Sequence, residues 1–440
     1  MVIVQNTHKL FGDKRMNALF DYLEKSLTAY HAVDNAKKLL LSHGFTQLFE
    51  TEDWQLSKGG KYFVVRNGSS LVAFTVGSLD GFHYKITASH PDSPALKLKE
   101  NCVNQGNLYA TLNTETYGVA IWYTFFDRPL KVAGRAIVKE GNKLTEKTVQ
   151  SPFNVCLPSL AVHQNRDVNE KFTVNKQIDL QPLLSCANNA PNAEEFIKNV
   201  VGADAVAYDL YLVNADTPYS FGVNNQFAAS PRVDNLTSVY ASLLALTQSE
   251  CKDGICVMAC LDNEEVGSGT YQGADSDFLE NTLRRIAYAL RFDENEYCKA
   301  LASSFLLSVD NAHAIHPNHP EKSDLTNKTT LGGGVVIKNH SGKAYITDAT
   351  AAALTKTIFS NANVKYQTFF NRSDVKSGGT LGAFAVRHLG VYGADIGIAQ
   401  LAMHSACECF AIDDYYEEVN GLTAFYDAKL TRVEDGFILE

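Results

Sequence analysis

His90, Asp92, Asp234, Glu264, Glu265, Asp310 and His404 are metal-ligating or proton-handling side chains that sit just beyond short apolar runs of this chain, or just before a helical one. His90 follows Phe82–Ala88, and Glu264-Glu265 follows Gly254–Leu261. Asp310 closes Phe305-Leu-Leu-Ser-Val, and His404 follows Ile398–Met403. Taken singly each has an ordinary explanation, such as a hydrogen-bonded histidine, a solvated acidic turn, or an N-cap at Asp234. Taken together they make a donor set. Imidazole and carboxylate ligands suit Zn²⁺, with Mn²⁺ or Co²⁺ as substitutes. Asp234, Glu265 and Asp310 bring three negative charges, which one hydroxide would complete against two divalent ions. That balance favours a pair of ions, which at about 3.5–4 Å separation activates a hydrolytic water. Asp92 stands two residues after His90, so strand alternation would put both on one face. A carboxylate there fixes the tautomer of a ligating imidazole. Glu264 and Glu265, being adjacent, must project differently, so that one can ligate while the other manages protons.

Delivering these groups to one place requires a particular scaffold. Helical periodicity predicts helices over Met16–Glu24 and His31–His43, the second ending at Gly44. Strand-like runs follow at Lys61–Val65, Ser70–Val76 and Phe82–Ala88. From Leu96 to about Ser220 the texture is β-rich and punctuated by turn residues. Beyond Asp234, helices (Leu236–Leu246, Phe278–Leu290, Ala349–Ser360, Leu381–Leu389) alternate with strands (Gly254–Leu261, Ser304–Val309, Tyr366–Phe370). The expected fold is α/β, a mixed and largely parallel sheet flanked by helices, interrupted by an inserted β-rich domain. The expected boundaries are 1–92 plus 228–440 for the first domain and 93–227 for the insertion. In such a sheet the ligand site lies outside the carboxyl ends of the strands.

Composition narrows the function classes. The chain has 440 residues, with 39 Lys plus Arg against 49 Asp plus Glu, for a net charge of −10. An acidic chain without a basic block is a poor partner for nucleic acid or an anionic membrane. The apolar start Met1–Val4 is too short for a secretory segment, and no apolar stretch approaches a membrane span. Nine cysteines without a Cys-x-x-Cys pair point to reduced, mostly buried thiols in a cytoplasmic protein. There is no P-loop, no G-x-G-x-x-G after a strand and no G-x-S-x-G, which disfavours nucleotide-binding enzymes and serine hydrolases.

From near Ser26 almost to the C-terminus, the chain resembles the aspartyl aminopeptidases, a family of dizinc metallopeptidases. The resemblance is carried by Leu27–Val33, Ser89–Pro94, Pro231–Leu236, Asp262–Ser268, Asp310–Pro317 and Ala402–Ser405. It implies that His90, Asp234 and Asp310 hold one zinc and that Asp234, Glu265 and His404 hold the other. It further implies Glu264 as general base, Asp92 as the residue that orients His90, and peptides with a free N-terminus as substrates. The insertion would be an oligomerisation domain, the assembly a dodecamer, and His163 a contribution to a neighbour's site. An acidic N-terminal residue would need a cation to meet it, and Arg372, Lys376, Lys343 and His163 are the candidates. Ser373–Thr380 and Cys407-Glu-Cys409 depart from the family pattern and bear on side-chain preference. The rival expectations are an aminopeptidase of neutral or broad specificity and an inactive scaffold for assembly.

Overall fold

The computed structural model describes residues 14–440, so Met1–Val4 lies outside the described residues. Helices α1 (Lys14–Lys25) and α2 (Ala29–Ser42) lead into strands β1 (Thr46–Leu48), β2 (Lys61–Arg66), β3 (Ser70–Val76) and β4 (Tyr84–Ser89). The chain then builds β5 (Ala95–Gln105), β6 (Tyr109–Tyr117), β7 (Leu130–Glu140), β8 (Lys143–Val155), β9 (Leu183–Cys186), α3 (Ala193–Val201) and β10 (Ala205–Asn214). Short strands β11 (Tyr219–Phe221) and β12 (Phe227–Ser230) precede α4 (Val233–Gln248), β13 (Ile255–Cys260), α5 (Phe278–Ala289) and α6 (Glu294–Ala302). After these come β14 (Phe305–Val309), β15 (Ala312–His313), β16 (Val335–Asn339), α7 (Ala349–Asn361), β17 (Tyr366–Phe370), α8 (Gly382–Leu389) and β18 (Tyr392–Gly397). The chain closes with β19 (Ala399–Leu401), β20 (Glu408–Ala411), α9 (Ile412–Asp427) and the hairpin β21 (Leu430–Val433) and β22 (Gly436–Leu439).

The nine-stranded sheet has the order β1-β2-β3-β13-β4-β14-β18-β16-β17. Its centre, β13-β4-β14-β18, is parallel throughout, while β3 and β16 join it antiparallel. Side chains alternate across this sheet as period two demands. Cys256, Met258 and Cys260 enter the core under α1, α2, α4, α7 and α9, whereas Val257 and Ala259 enter the core under α5, α6 and α8. Every central strand is therefore buried on both faces, and this is why those runs read as continuously apolar. The fold is the mixed α/β arrangement that the alternation predicts.

A six-stranded antiparallel sheet, β8-β7-β10-β5-β6-β9, packs a separate core around Leu96, Leu112, Leu130, Leu210 and Phe196. A five-stranded sheet, β11-β12-β20-β19-β15, lies nearby in sequence to the candidate ligands Asp310 and His404. All nine cysteines are free, with Cys102, Cys251, Cys256 and Cys260 buried and Cys186 and Cys298 exposed. Among the described residues no helix is long and apolar enough to cross a membrane.

Candidate metal centre

Because β13, β4, β14 and β18 run parallel, their carboxyl ends share one edge of the sheet. His90 lies one residue past β4, Asp310 one past β14, and Glu264-Glu265 in the turn after β13. His404 arrives from the loop between β19 and β20, and Asp234 from the first turn of α4. Asp234 and Asn235 depart from helical geometry, and the peptide between them is cis, so the regular helix starts after them. Gly397 on β18 packs against the Asp310 carbonyl so closely that a Cβ would collide with it.

Two groups of ligand atoms form, each within 4.8 Å: His90, Asp234 and Asp310 in one, and Asp234, Glu265 and His404 in the other. Asp234 belongs to both. Its Oδ1 lies 3.6 Å from His90 Nε2 and its Oδ2 lies 3.5 Å from His404 Nε2. His90 Nε2 is 3.8 Å from Asp310 Oδ1, and His404 Nε2 is 3.3 Å from Glu265 Oε1. Both imidazoles turn Nε2 toward the ligand carboxylates of these groups and Nδ1 away from them. His90 Nδ1 meets the Asp92 carbonyl at 3.1 Å and Asp92 Oδ1 at 3.3 Å, and His404 Nδ1 meets the Val119 carbonyl at 2.7 Å. Such contacts set the tautomer that leaves Nε2 as the ligand atom. The pairing of His90 with Asp92 does not come from strand alternation, since β4 stops at Ser89. It comes from the irregular segment past the strand, where Asp92 offers both its carbonyl and its carboxylate to Nδ1.

Asp92 also accepts hydrogen bonds from the backbone N–H groups of Glu264 and Glu265, each at 3.2 Å, and from the Tyr117 hydroxyl at 2.6 Å. One carboxylate thus holds both His90 and the double-glutamate turn. Glu408 was not singled out from the sequence. Its buried carboxylate accepts from the backbone N–H of Asp234 at 2.9 Å and of His404 at 2.6 Å, tying together two segments that carry ligands. Only its place four residues after His404 could have flagged it.

The electrostatics favour a cation. Burial pushes the Glu264 carboxyl up to about 8, reinforced by Asp310, Glu265 and Asp92 against the opposing pull of His90. Burial likewise raises Glu265 to about 7, with Asp234 adding to it and His404 opposing. Burial pulls the His404 imidazole down, but Asp234 and Glu265 outweigh it and raise it to about 11. Asp234 Oδ1 and Glu265 Oε1 are buried and accept no hydrogen bond. Buried carboxylate oxygens without donors are costly unless a cation meets them. The donor set therefore fits divalent metal.

The groups open into a cleft of about 600 Å³ lined by His90, Glu264, Asp310, Lys338, Thr380 and His404, among others. Lys338 is buried, donates to the Asn311 carbonyl at 2.9 Å and lies 3.8 Å from Asp310 Oδ2. The cations expected from sequence lie elsewhere. Arg372 pairs with Asp374 at 2.6 Å and donates to the Glu321 carbonyl. Lys376 and His163 are exposed, as is Lys343, which reaches the Thr347 carbonyl at 3.4 Å. None of these four is among the residues that line the cleft.

An α/β sheet carrying a shared carboxylate between two His-carboxylate groups at its carboxyl edge defines a hydrolase scaffold of the metal-dependent kind. Residues 22–426 match the family model described as aminopeptidase I zinc metalloprotease (M18), and the chain belongs to that family of metallo-aminopeptidases. It is 39% identical over 430 residues to a probable M18 family aminopeptidase 2 of Clostridium novyi, covering 94% of this chain and 99% of the relative. It is 34% identical over 468 residues to aspartyl aminopeptidase 4 of Saccharomyces cerevisiae, covering 95% of each. The fold matches the structure of the Saccharomyces cerevisiae mApe1 dodecamer with a TM-score of 0.79 at 25% identity, covering 93% of this chain and 95% of that one.

Proposed function

We propose that this metallo-aminopeptidase uses two zinc ions, one held by His90, Asp234 and Asp310 and the other by Asp234, Glu265 and His404. The observation that carries this reading is Asp234, whose two oxygens face different histidines. When bound, the ions supply Lewis acidity for the scissile carbonyl, an acidified water and an anchor for the free amine. Glu264 takes the proton of the attacking water and returns it to the departing amine, a role suited to a carboxyl that lines the cleft beside both ligand groups. Asp92 keeps the His90 imidazole and the Glu264 backbone in register. Mn²⁺ or Co²⁺ fits the same donors.

Preference for Asp or Glu at the substrate's N-terminus is supported by the aspartyl name of the yeast relative and by Lys338 in the cleft. Assembly into a homo-oligomer, a dodecamer as in the yeast structure, is supported by apolar side chains left exposed in segment 93–227. Leu108, Leu160 and Ile178 there are 74%, 65% and 68% exposed. In that assembly His163 would reach a neighbour's cleft. A cytoplasmic setting accords with the free thiols. The test is metal analysis beside peptide hydrolysis: two ions per chain and loss of activity on chelation are expected, and full activity without bound metal contradicts the proposal.

A further inference from the structure

The six-stranded sheet is set beside the candidate metal centre, and one short stretch of it touches both halves of that centre. At the end of β6, the Tyr117 hydroxyl donates to Asp92 Oδ2 at 2.6 Å while Asp92 holds His90 Nδ1. Two residues on, the Val119 carbonyl accepts from His404 Nδ1 at 2.7 Å. Two further on, the Ile121 N–H donates to the His404 carbonyl at 2.9 Å. Between these contacts Gly118 adopts φ +68°, and a Cβ there would lie 3.2 Å from the Glu265 Cβ and 3.4 Å from Pro94. A side chain is disfavoured by both the backbone conformation and the space. The Tyr117 hydroxyl in turn accepts from Asn263 Nδ2 at 2.9 Å, which links it to the turn bearing Glu264 and Glu265. The Tyr117 ring packs edge-on against Tyr211 of β10, anchoring the stretch in its own sheet.

We infer that Tyr117–Ile121 is a positioning segment through which the six-stranded sheet fixes both histidines of the metal centre, with Tyr117 acting through Asp92 on His90 and Val119 acting directly on His404. The physical reason is tautomer and aim. A neutral imidazole ligates through Nε2 only when Nδ1–H has an acceptor, and partners of this kind are worth about 10–100-fold in metal affinity or activity. Here one stretch, the end of β6 and the residues just past it, holds the Asp92 that meets His90 and supplies the acceptor of His404, while contributing no ligand of its own. The six-stranded sheet is then a component of the metal centre, and a shift of that sheet is transmitted to both ion sites together.

The inference rests on the two-metal reading above, and its test separates the two. The wild-type protein, loaded with zinc or with Co²⁺, is compared with Tyr117→Phe, with Gly118→Ala, and with Tyr211→Phe as a control in the same aromatic pair. Tyr117→Phe keeps the ring packing and removes only the hydroxyl. It is expected to melt near the wild type, release metal to a chelator roughly 10-fold faster or more, alter the Co²⁺ visible spectrum and lower kcat more than it changes KM. Gly118→Ala crowds Glu265 and is expected to speed release from the half of the centre that contains Glu265 and His404. Tyr211→Phe should match the wild type in metal release and spectrum. Tyr117→Phe and Gly118→Ala proteins with wild-type release rates and spectra overturn the positioning role even if their melting temperatures fall. A wild-type protein that retains no divalent ion overturns the two-metal reading itself, and the positioning role with it.

Discussion

Glu264 and Glu265 are neighbours in sequence with different proposed tasks, and substitution separates them. Both backbone N–H groups hang on Asp92, so the turn is held while the side chains diverge. Glu265 Oε1 lies 3.3 Å from His404 Nε2, while Glu264 lines the cleft. Glu264→Gln should retain both ions and lose about 10²–10⁴-fold in kcat. Glu265→Gln should lose metal from one site, as read by stoichiometry. Near-normal turnover in Glu264→Gln would remove it as the base. Lys338 carries the specificity prediction. A charge-assisted contact contributes about 1.5–3 kcal/mol, which is roughly 10- to 150-fold in kcat/KM. Lys338→Met should lower the ratio of Asp-initiated to Leu-initiated peptide hydrolysis by that factor while leaving the Leu peptide comparatively unaffected. Equal losses on both peptides would place the effect in Asp310, 3.8 Å away, instead of in recognition.

At the scale of the element, α9 was not read from the sequence, and its buried face explains why. That face carries Asp414, Glu418 and Gly421 among Tyr415, Leu422 and Phe425, so its apolar period is broken by residues normally taken for a solvated side. Asp414 accepts from the Gly332 and Gly334 N–H groups, each at 2.7 Å, but both Glu418 oxygens are buried without a hydrogen bond. Burial pushes Glu418 from its ordinary value of 4.5 up to about 8, with Asp414 and Asp310 adding to it and Lys338 of β16 opposing. Tyr415, beside it on α9, is also buried and is itself raised. In the unfolded chain Glu418 ionises near 4.5, so between that pH and about 8 the native state keeps a proton the unfolded state has released. This group's contribution is therefore fully present below pH 4.5 and lost as pH rises through 8. Glu418→Gln should melt higher than the wild type at pH 8–9, with the difference shrinking toward pH 5. At about 1.4 kcal/mol per pKa unit the ceiling is on the order of 5 kcal/mol. A difference that stays constant across this range would show that the carboxyl does not titrate in that window.

On the scale of the whole molecule, the side chains that segment 93–227 leaves in solvent bear on assembly. Leu108 and Ile178 are 74% and 68% exposed, side chains that an interface between subunits would cover. Light scattering should find a large homo-oligomer at assay concentration, and a charged residue at Leu108 or Ile178 should shift it toward smaller species. A monomer with full activity would detach assembly from catalysis.

Strands β2, β3, β4, β13 and β14 and helices α4, α5, α7 and α8 are legible in the sequence, because strands buried on both faces read as apolar runs that end in polar turns, whereas β16 and β18 of the same sheet are not. His90, Glu264, Glu265, Asp310 and His404 were legible for the same reason, since each interrupts or ends such a run. Only the tertiary structure decided which oxygen of Asp234 faces which imidazole, since that depends on where α4 starts relative to four strand ends. It also decided which partners Tyr117, Val119 and Glu408 meet. Tyr117 and Glu408 lie on other sheets and Val119 just past β6, Glu408 reaches backbone N–H groups, and Val119 contributes a carbonyl that any residue type could supply. Lys338 was missed because the short strand that carries it, Val335–Asn339, was not read from the sequence. Its burial comes from Tyr345, Asn311 and Asp310, which meet it from other segments, and long-range packing of that kind leaves no mark in local periodicity.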